Sequence, residues 1–380
     1  MDKKSVKVSG KKSILINYIY IHIPFCLRKC HYCSFYSERF ASELKNKFVS
    51  YLIKEISLFK EKFKIKPLTI YFGGGTPSLL DVSDIQKIIS QFDLAQIQEI
   101  TLESNPKNIT AKYIQKLSET PINRISLGAQ SFIDSELNLL GRLHNSEQIS
   151  RAFELLRNQR FENISLDLIY GLPNQKMQDV LFSLEKVIEL DPEHVSLYCL
   201  SLEDSVPLYS KKHLIPEDEV IADFYDLIRT RLISSGFEQY EISNFAKRGF
   251  ESKHNLCYWS DKYYLGFGPS AAGYFENFRY TNPADLEEYF RQIETSEVFK
   301  NFGSLSESDH EKEFIFLSLR KTKGMNLKEF QSKFDENFLK KYEKIIAKYI
   351  KNKYLEINED FIRLTPKAYF ISNEIYTEFV

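Results

Sequence analysis

Three of the chain's five cysteines, Cys26, Cys30 and Cys33, sit together in YIYIHIPFCLRKCHYCSFYS, residues 18–37. Their C-x3-C-x2-C spacing follows an alternating β-rich run, NYIYIHI, that reads as a strand. An odd cysteine count argues against a disulfide framework and toward ligation or chemistry at the clustered three. Thiolate clusters suit zinc or iron-sulfur centres. Structural zinc wants four closed ligands, and His22 and His31 are the candidates to complete such a set. Three thiolates on a tight loop can instead hold three irons of a [4Fe-4S] cluster and leave the fourth open to a substrate. Spacing alone leaves both readings standing.

The rest of the chain says what surrounds that loop. After NYIYIHI, helical periodicity over about residues 42–63 places Phe48, Leu52, Ile56 and Leu58 or Phe59 on one stripe. A second strand, LTIYF, runs into GGGTPS; EITLES, NRISLGA, NISLDLIYG and HVSLYCLSL follow, each after a helix-length segment. This alternation predicts parallel strands covered by helices. Six units in a row favour a partial (β/α)6 barrel over a Rossmann sheet, because functional-looking residues recur at strand ends: the cysteine segment, Gly73 to Thr76, Glu103, Gln130 and Asp167. The C-terminal strand ends of a β/α barrel form its reactive face.

Beyond about residue 280 the alternation stops. Helices are expected over 307–319, 327–334 and 338–350, followed by short β-like runs YLEI and FIRLT, as in a small α+β winged-helix-like domain. The expected organisation is a flexible basic lead (1–15), a barrel with a following extension (16–279) and a C-terminal domain (280–380). Lys340, Lys341, Lys344, Lys348 and Lys351 lie opposite Leu339, Tyr342, Ile346 and Tyr349, which reads as a solvated face and not a DNA-binding one. Net charge of −1 gives no reason to expect nucleic acid, and no stretch approaches the ~20 apolar residues of a membrane span. The lead lacks the apolar core of a signal peptide, so a cytoplasmic protein with a small-molecule partner is expected.

The cysteine spacing after a first barrel strand resembles the radical S-adenosylmethionine (SAM) superfamily. YIHIPFC, GGGTPS, LESNP, ISLGAQSF, LDLIYGLP and LTPKAYF, in that order, resemble oxygen-independent coproporphyrinogen III oxidases and their close relatives. The resemblance implies a TIM-type radical SAM barrel in which Cys26, Cys30 and Cys33 bind a [4Fe-4S] cluster. It also implies that Tyr20, Gly74, Gly75, Thr76, Glu103, Gln130, Arg142 and Asp167 bind SAM. These residue types suit that work: glycines let backbone approach a ligand, carboxylates accept from ribose hydroxyls or an ammonium, and arginine offers a donor fork to a carboxylate.

Two departures separate the chain from the oxidases. Those enzymes carry another cysteine two residues after the third, where this sequence has Phe35, and a longer segment before strand one. Both departures resemble HemW-type haem chaperones, as does His254-Asn255-x-x-Tyr258-Trp259, which is similar to their haem-associated motif. Imidazole is a common axial ligand to haem iron, and flat aromatics can cover a macrocycle. For Cys257, inside the motif, a buried inert thiol outweighs a haem ligand. The expected function is to bind haem, a [4Fe-4S] cluster and SAM, and to transfer haem to an acceptor protein such as a respiratory enzyme, with an electron donor serving the cluster. The alternative is oxidative decarboxylation of coproporphyrinogen III to protoporphyrinogen IX.

Overall fold

Strand β1 (Leu15–Ile23) buries Ile19, Ile21 and Ile23 on one face and turns Tyr18, Tyr20 and His22 to the other. That two-residue period organises the whole first unit. The structure is a computed structural model that describes residues 14–300 and 302–379, so most of the basic lead expected over 1–15 lies outside the described residues. Parallel to β1 run β2 (Lys64–Gly74), β3 (Glu99–Ser104), β4 (Arg124–Gln130), β5 (Ile164–Tyr170) and β6 (His194–Cys199), paired in chain order. All six expected strands are present, and the α/β barrel class is borne out.

Helices cross between them: α1 (Ser42–Lys60), α2 (Val82–Ile89), α3 (Ala111–Leu117), α4 (Asp134–Leu139), α5 (Ser146–Asn158) and α6 (Met177–Leu190). The expected stripe of α1 is buried at Phe48, Leu52, Ile56 and Phe59. Such side chains are each worth roughly 1.5–3 kcal/mol when withdrawn from water. On the far side of β1 the extension adds a further parallel strand, Tyr264–Phe267, then the antiparallel strands Ala272–Phe275 and Phe278–Thr281, which makes the sheet mixed.

Glu55 ties α1 to that extension. Its side chain is fully buried and accepts from the backbone N–H of Gly268 (2.9 Å), Asn282 Nδ2 (2.7 Å) and the Tyr289 hydroxyl (2.6 Å). Burial pushes its carboxyl from 4.5 up to about 7, although all three donors pull the other way. A raised folded-state value means that the fold holds this proton more tightly than the unfolded chain does. The resulting stability is therefore complete below 4.5 and is lost as pH rises through about 7. At about 1.4 kcal/mol per unit this is ~3 kcal/mol. Denaturant unfolding at pH 5 and pH 8 should show that loss in the wild type and a flatter dependence in Glu55→Gln.

The chain divides into two compact units, one of Met1–Pro216 with Tyr263–Ser304 and the other of Glu217–Lys262 with Leu305–Val380. The sequence reading draws its boundaries near residues 15 and 280; the two units part at 216/217, 262/263 and 304/305. The second unit contains an antiparallel pair, Glu238–Glu241 and Asn244–Ala246, and a three-stranded sheet in which Phe361–Leu364 lies between Met325–Asn326 and Leu355–Asn358. Helices Glu307–Arg320 and Leu327–Phe334 match expectation. The single helix expected over 338–350 is two, Phe338–Lys341 and Glu343–Lys351, because Tyr342 leaves helical geometry at ψ 23°. The lysine-bearing face is solvent-exposed, with Lys341 paired to Glu311 and Lys348 to Glu378.

Candidate functional site

The cysteine loop leaves β1 at its C-terminal end and is clamped on its far side. The His31 N–H donates to the Leu140 carbonyl (3.0 Å), Arg28 Nη2 donates to the carbonyls of Gly141 (2.8 Å) and Arg142 (3.0 Å), and the Leu208 N–H donates to the His31 carbonyl (2.9 Å). Cys26, Cys30 and Cys33 are half-buried, and no disulfide joins any of the five cysteines. Burial pushes the thiols of Cys26 and Cys33 up, and hydrogen bonds, from Thr76 to Cys26 and from the Phe35 backbone to Cys33, oppose it. Such bonds favour the thiolates that iron requires.

Of the two candidates to complete a zinc site, His22 has both ring nitrogens occupied and His31 has one. Nδ1 of His22 lies 3.1 Å from the Tyr20 hydroxyl and Nε2 lies 3.1 Å from the Tyr36 carbonyl, while His31 Nδ1 lies 3.0 Å from the Leu139 carbonyl. Among the described residues no three His, Cys, Asp or Glu side chains converge on one metal ion. Thiolates that each bind a different iron need not converge, whereas ligands to one zinc ion must.

Around the loop stand the residues that the family resemblance singled out. Gly74 ends β2 at φ +105°, where a Cβ would lie 2.6 Å from the His22 ring, so the position needs glycine on both counts. A Cβ on Gly75 would lie 2.7 Å from the Phe25 carbonyl oxygen. The Thr76 hydroxyl lies 3.7 Å from Cys26 Sγ. Glu103 accepts from the Tyr71 hydroxyl (2.8 Å) and the Gly74 N–H (3.2 Å), and burial pushes its carboxyl up to about 7. Tyr20 stacks on Tyr71 at 6.2 Å, and burial holds its phenol un-ionised. Gln130 closes β4 at φ +71°, a strained position for a non-glycine residue and a frequent mark of functional sites.

Arg142 lies in the turn between α4 and α5 and points Nη1 at Cys30 Sγ (3.4 Å) and Nη2 at the Gly128 carbonyl (2.9 Å). Its Nε is buried without a partner, leaving one donor for a ligand. Asp167 differs from expectation: it stands in the middle of β5, not at its end. Inside the barrel it accepts from Ser126 (3.1 and 3.0 Å) and Ser165 (3.3 Å). A side chain one register step below the rim can still face the lumen, and a strand reading cannot separate the two.

The structure therefore brings together the cysteines, Tyr20, Gly74, Gly75, Thr76, Glu103, Gln130, Arg142 and Asp167 at one end of one barrel. Their chemistry fits the pair of groups expected there: three thiols on one loop, an unsatisfied buried guanidine nitrogen, a side-chain-free approach at Gly74 and Gly75, and two half-buried carboxyl groups. Tyr71 was missed by sequence reasoning, and His22 was weighed only as a zinc ligand. Strand alternation from Tyr20 and Gly73 would have found both.

The His254 motif belongs to the second unit. It forms a short helix, Lys253–Trp259, capped by the Ser252 hydroxyl accepting from the Asn255 N–H (3.2 Å). His254 is buried, and its Nε2 lies 2.8 Å from the Tyr258 hydroxyl, with the rings at 86°. Trp259 lies under the Arg320 guanidinium at 4.5 Å, and its Nε1 is buried without a partner. Cys257 is buried and its thiol is pushed well up by that burial, as an inert core thiol should be. In the first unit Phe35 is 67% exposed, beside the cysteines and in contact with solvent.

A model of the radical SAM superfamily matches residues 20–187, and one of the HemN C-terminal domain matches 305–371. The chain is 36% identical to the haem chaperone HemW of Lactococcus lactis over 96% of its length and 97% of the relative's. It is 33% identical to HemW of Bacillus subtilis over 95% and 98%. Among solved structures, coproporphyrinogen III oxidase HemN from Escherichia coli, described as a radical SAM enzyme, gives a TM-score of 0.83 over 97% of this chain and 90% of that one. At 22% identity that likeness carries the fold alone.

Proposed function

Since the chain belongs to the HemW family of radical SAM proteins, we propose that it is a haem chaperone that binds haem, a [4Fe-4S] cluster and SAM and passes haem to an acceptor protein. The observation that carries the reading is the near-full-length likeness to relatives named as haem chaperones, which spans both units. Phe35 supports it: an exposed phenyl stands where the oxidases place another cysteine.

In this reading Cys26, Cys30 and Cys33 hold the cluster, which when bound supplies an open iron and an electron to SAM. Arg142 holds the Cys30 sulfur and offers its free Nε toward the ligand side. The Gly74 and Gly75 backbone admits the methionyl end of SAM; Glu103 and Asp167 accept from its hydroxyls or ammonium, and Tyr20, Thr76 and Gln130 line the remainder. His254 would take haem iron by exchanging its Tyr258 hydrogen bond, with Tyr258 and Trp259 as flanking aromatics. Among the described residues no helix is long and apolar enough to cross a membrane. We place the protein in the cytoplasm, served by a reductant for the cluster and a haem acceptor that its residues do not name.

The test is haem titration of anaerobically reconstituted protein, read by the Soret band. Binding near one haem per chain is expected, weakened by tenfold or more in His254→Ala, about the loss that follows removal of a metal's support. No binding at all would refute the chaperone reading, and unchanged binding in the variant would refute His254 as ligand. The second reading is the oxidase, which the HemN-like fold accommodates.

A further inference from the structure

The lumen of the barrel holds a charge that the family motifs do not call for. Strand register aligns Tyr20, Tyr71, Thr101 and Arg124 in one layer and Glu103, Ser126, Ser165 and His194 in the next, with Asp167 beside Ser196 above them. Barrel interiors fill in such layers, usually with branched aliphatics. Here Arg124 opens β4 with only 2% of its surface exposed, and among the described residues it is the only arginine in the buried class. Its neighbours Ile125 and Leu127 face the helices, while Arg124 and Ser126 face the lumen, where the Ser126 hydroxyl bonds both oxygens of Asp167.

Those contacts cast Asp167 as an acceptor. A carboxyl group ringed by serine hydroxyls that donate to it accepts best with both oxygens in the ionised form, against the burial that raises it. Glu103, accepting from Tyr71 and the Gly74 N–H, is in the same position. Two carboxylates withdrawn into one lumen repel each other and lose solvation, so they need a buried cation. We propose that Arg124 is that cation: a positioning residue that keeps Glu103 and Asp167 ionised as paired acceptors for SAM, without touching SAM itself.

This inference rests on the reading of Glu103 and Asp167 as SAM ligands. The charge of Arg124 acts against the burial that raises both carboxyl groups, and on Tyr71 and His194 as well; burial keeps the His194 imidazole neutral, and Arg124 adds to that effect. The titratable and charged groups on the same strand faces are Tyr20 and His22 of β1, Tyr71 of β2, Arg124 of β4, and His194 and Tyr198 of β6, with Glu99 two residues below Thr101 on β3.

The experiment is SAM binding by isothermal calorimetry on the cluster-loaded full-length protein between pH 6 and 8.5, for wild type, Arg124→Lys and Arg124→Gln. Wild type should lose affinity only below about pH 7, where Glu103 takes a proton. Without the cation the carboxyl groups hold protons to higher pH. Arg124→Gln should therefore bind at least about tenfold more weakly at pH 7 and recover toward pH 8.5, one decade for each unit of displaced midpoint. Arg124→Lys should keep the wild-type midpoint. An Arg124→Gln profile parallel to that of wild type would overturn the proposal. If Arg124→Gln does not fold, Arg124→Gln/Asp167→Asn removes one buried charge of each sign, and its midpoint should lie above that of Asp167→Asn. Equal midpoints would overturn the proposal. A wild type that binds no SAM at any pH would refute the underlying ligand reading instead.

Discussion

Cys30→Ser is expected to abolish cluster loading while leaving the barrel folded. In the proposed reading three thiolates are the whole protein contribution to a cluster whose fourth iron stays open, so no ligand is in reserve. A serine hydroxyl stays protonated at neutral pH and presents no soft anion to iron. Loss of a mere supporting contact at a metal site costs about 10–100-fold in affinity, and loss of a ligand should cost more. The fold should survive, because the loop is held by backbone bonds at His31 and Leu208 and by the Arg28 guanidinium, none of which uses the Cys30 side chain. Iron and sulfide per chain after anaerobic reconstitution, with circular dichroism as the control, read the outcome. Wild-type loading in Cys30→Ser would remove this cysteine from the cluster.

In the second unit the largest effect should come from Arg320→Ala. Glu241 has no solvent-exposed side-chain surface and accepts from Arg320 Nε (2.9 Å), the Ser243 N–H (3.0 Å) and Asn244 Nδ2. Burial raises its carboxyl and the Arg320 charge opposes that most strongly. Removing the cation strands a buried carboxylate, which typically costs about 3–5 kcal/mol. That is a large share of the ~5–15 kcal/mol that holds an ordinary domain folded. Alanine also uncovers the indole of Trp259, the chain's single tryptophan, so its fluorescence reports the right place. The denaturation midpoint should fall sharply at pH 8 and less at pH 5, where Glu241 can take a proton instead. Glu241→Gln added to Arg320→Ala should restore part of the loss. A single-variant loss below about 1 kcal/mol, the size expected of an exposed pair, would contradict this account.

The strands and the cluster loop were legible because their signals are local. Alternating isoleucines mark β1, and the cysteines, Gly74 and Gly75 carry their spacing in the chain itself. What escaped is what depends on the partner strand or helix. Glu55 on α1 looks like any solvated helical glutamate until Gly268, Asn282 and Tyr289 arrive from more than two hundred residues away. Arg124 looks like a strand-end arginine until register turns it inward among carboxyl groups. Asp167 was recognised, but its depth in β5 follows from register with Ser126 and Ser196, which no single strand reveals. The strand Tyr264–Phe267 was passed over because it is short and its reason for being a strand is the free edge of β1. The break at Tyr342 is likewise invisible in a continuous helical pattern. The Glu311 carboxylate that binds both Lys341 and the Tyr342 hydroxyl comes from another helix.

The central claim is that a radical SAM barrel here serves haem carriage and not haem synthesis. One anaerobic preparation, reconstituted with iron and sulfide and supplied with SAM and a reductant, should be divided between haem and coproporphyrinogen III. The account predicts a stable haem complex with a shifted Soret band and no protoporphyrinogen IX formed. Turnover of coproporphyrinogen III without retention of haem would contradict it.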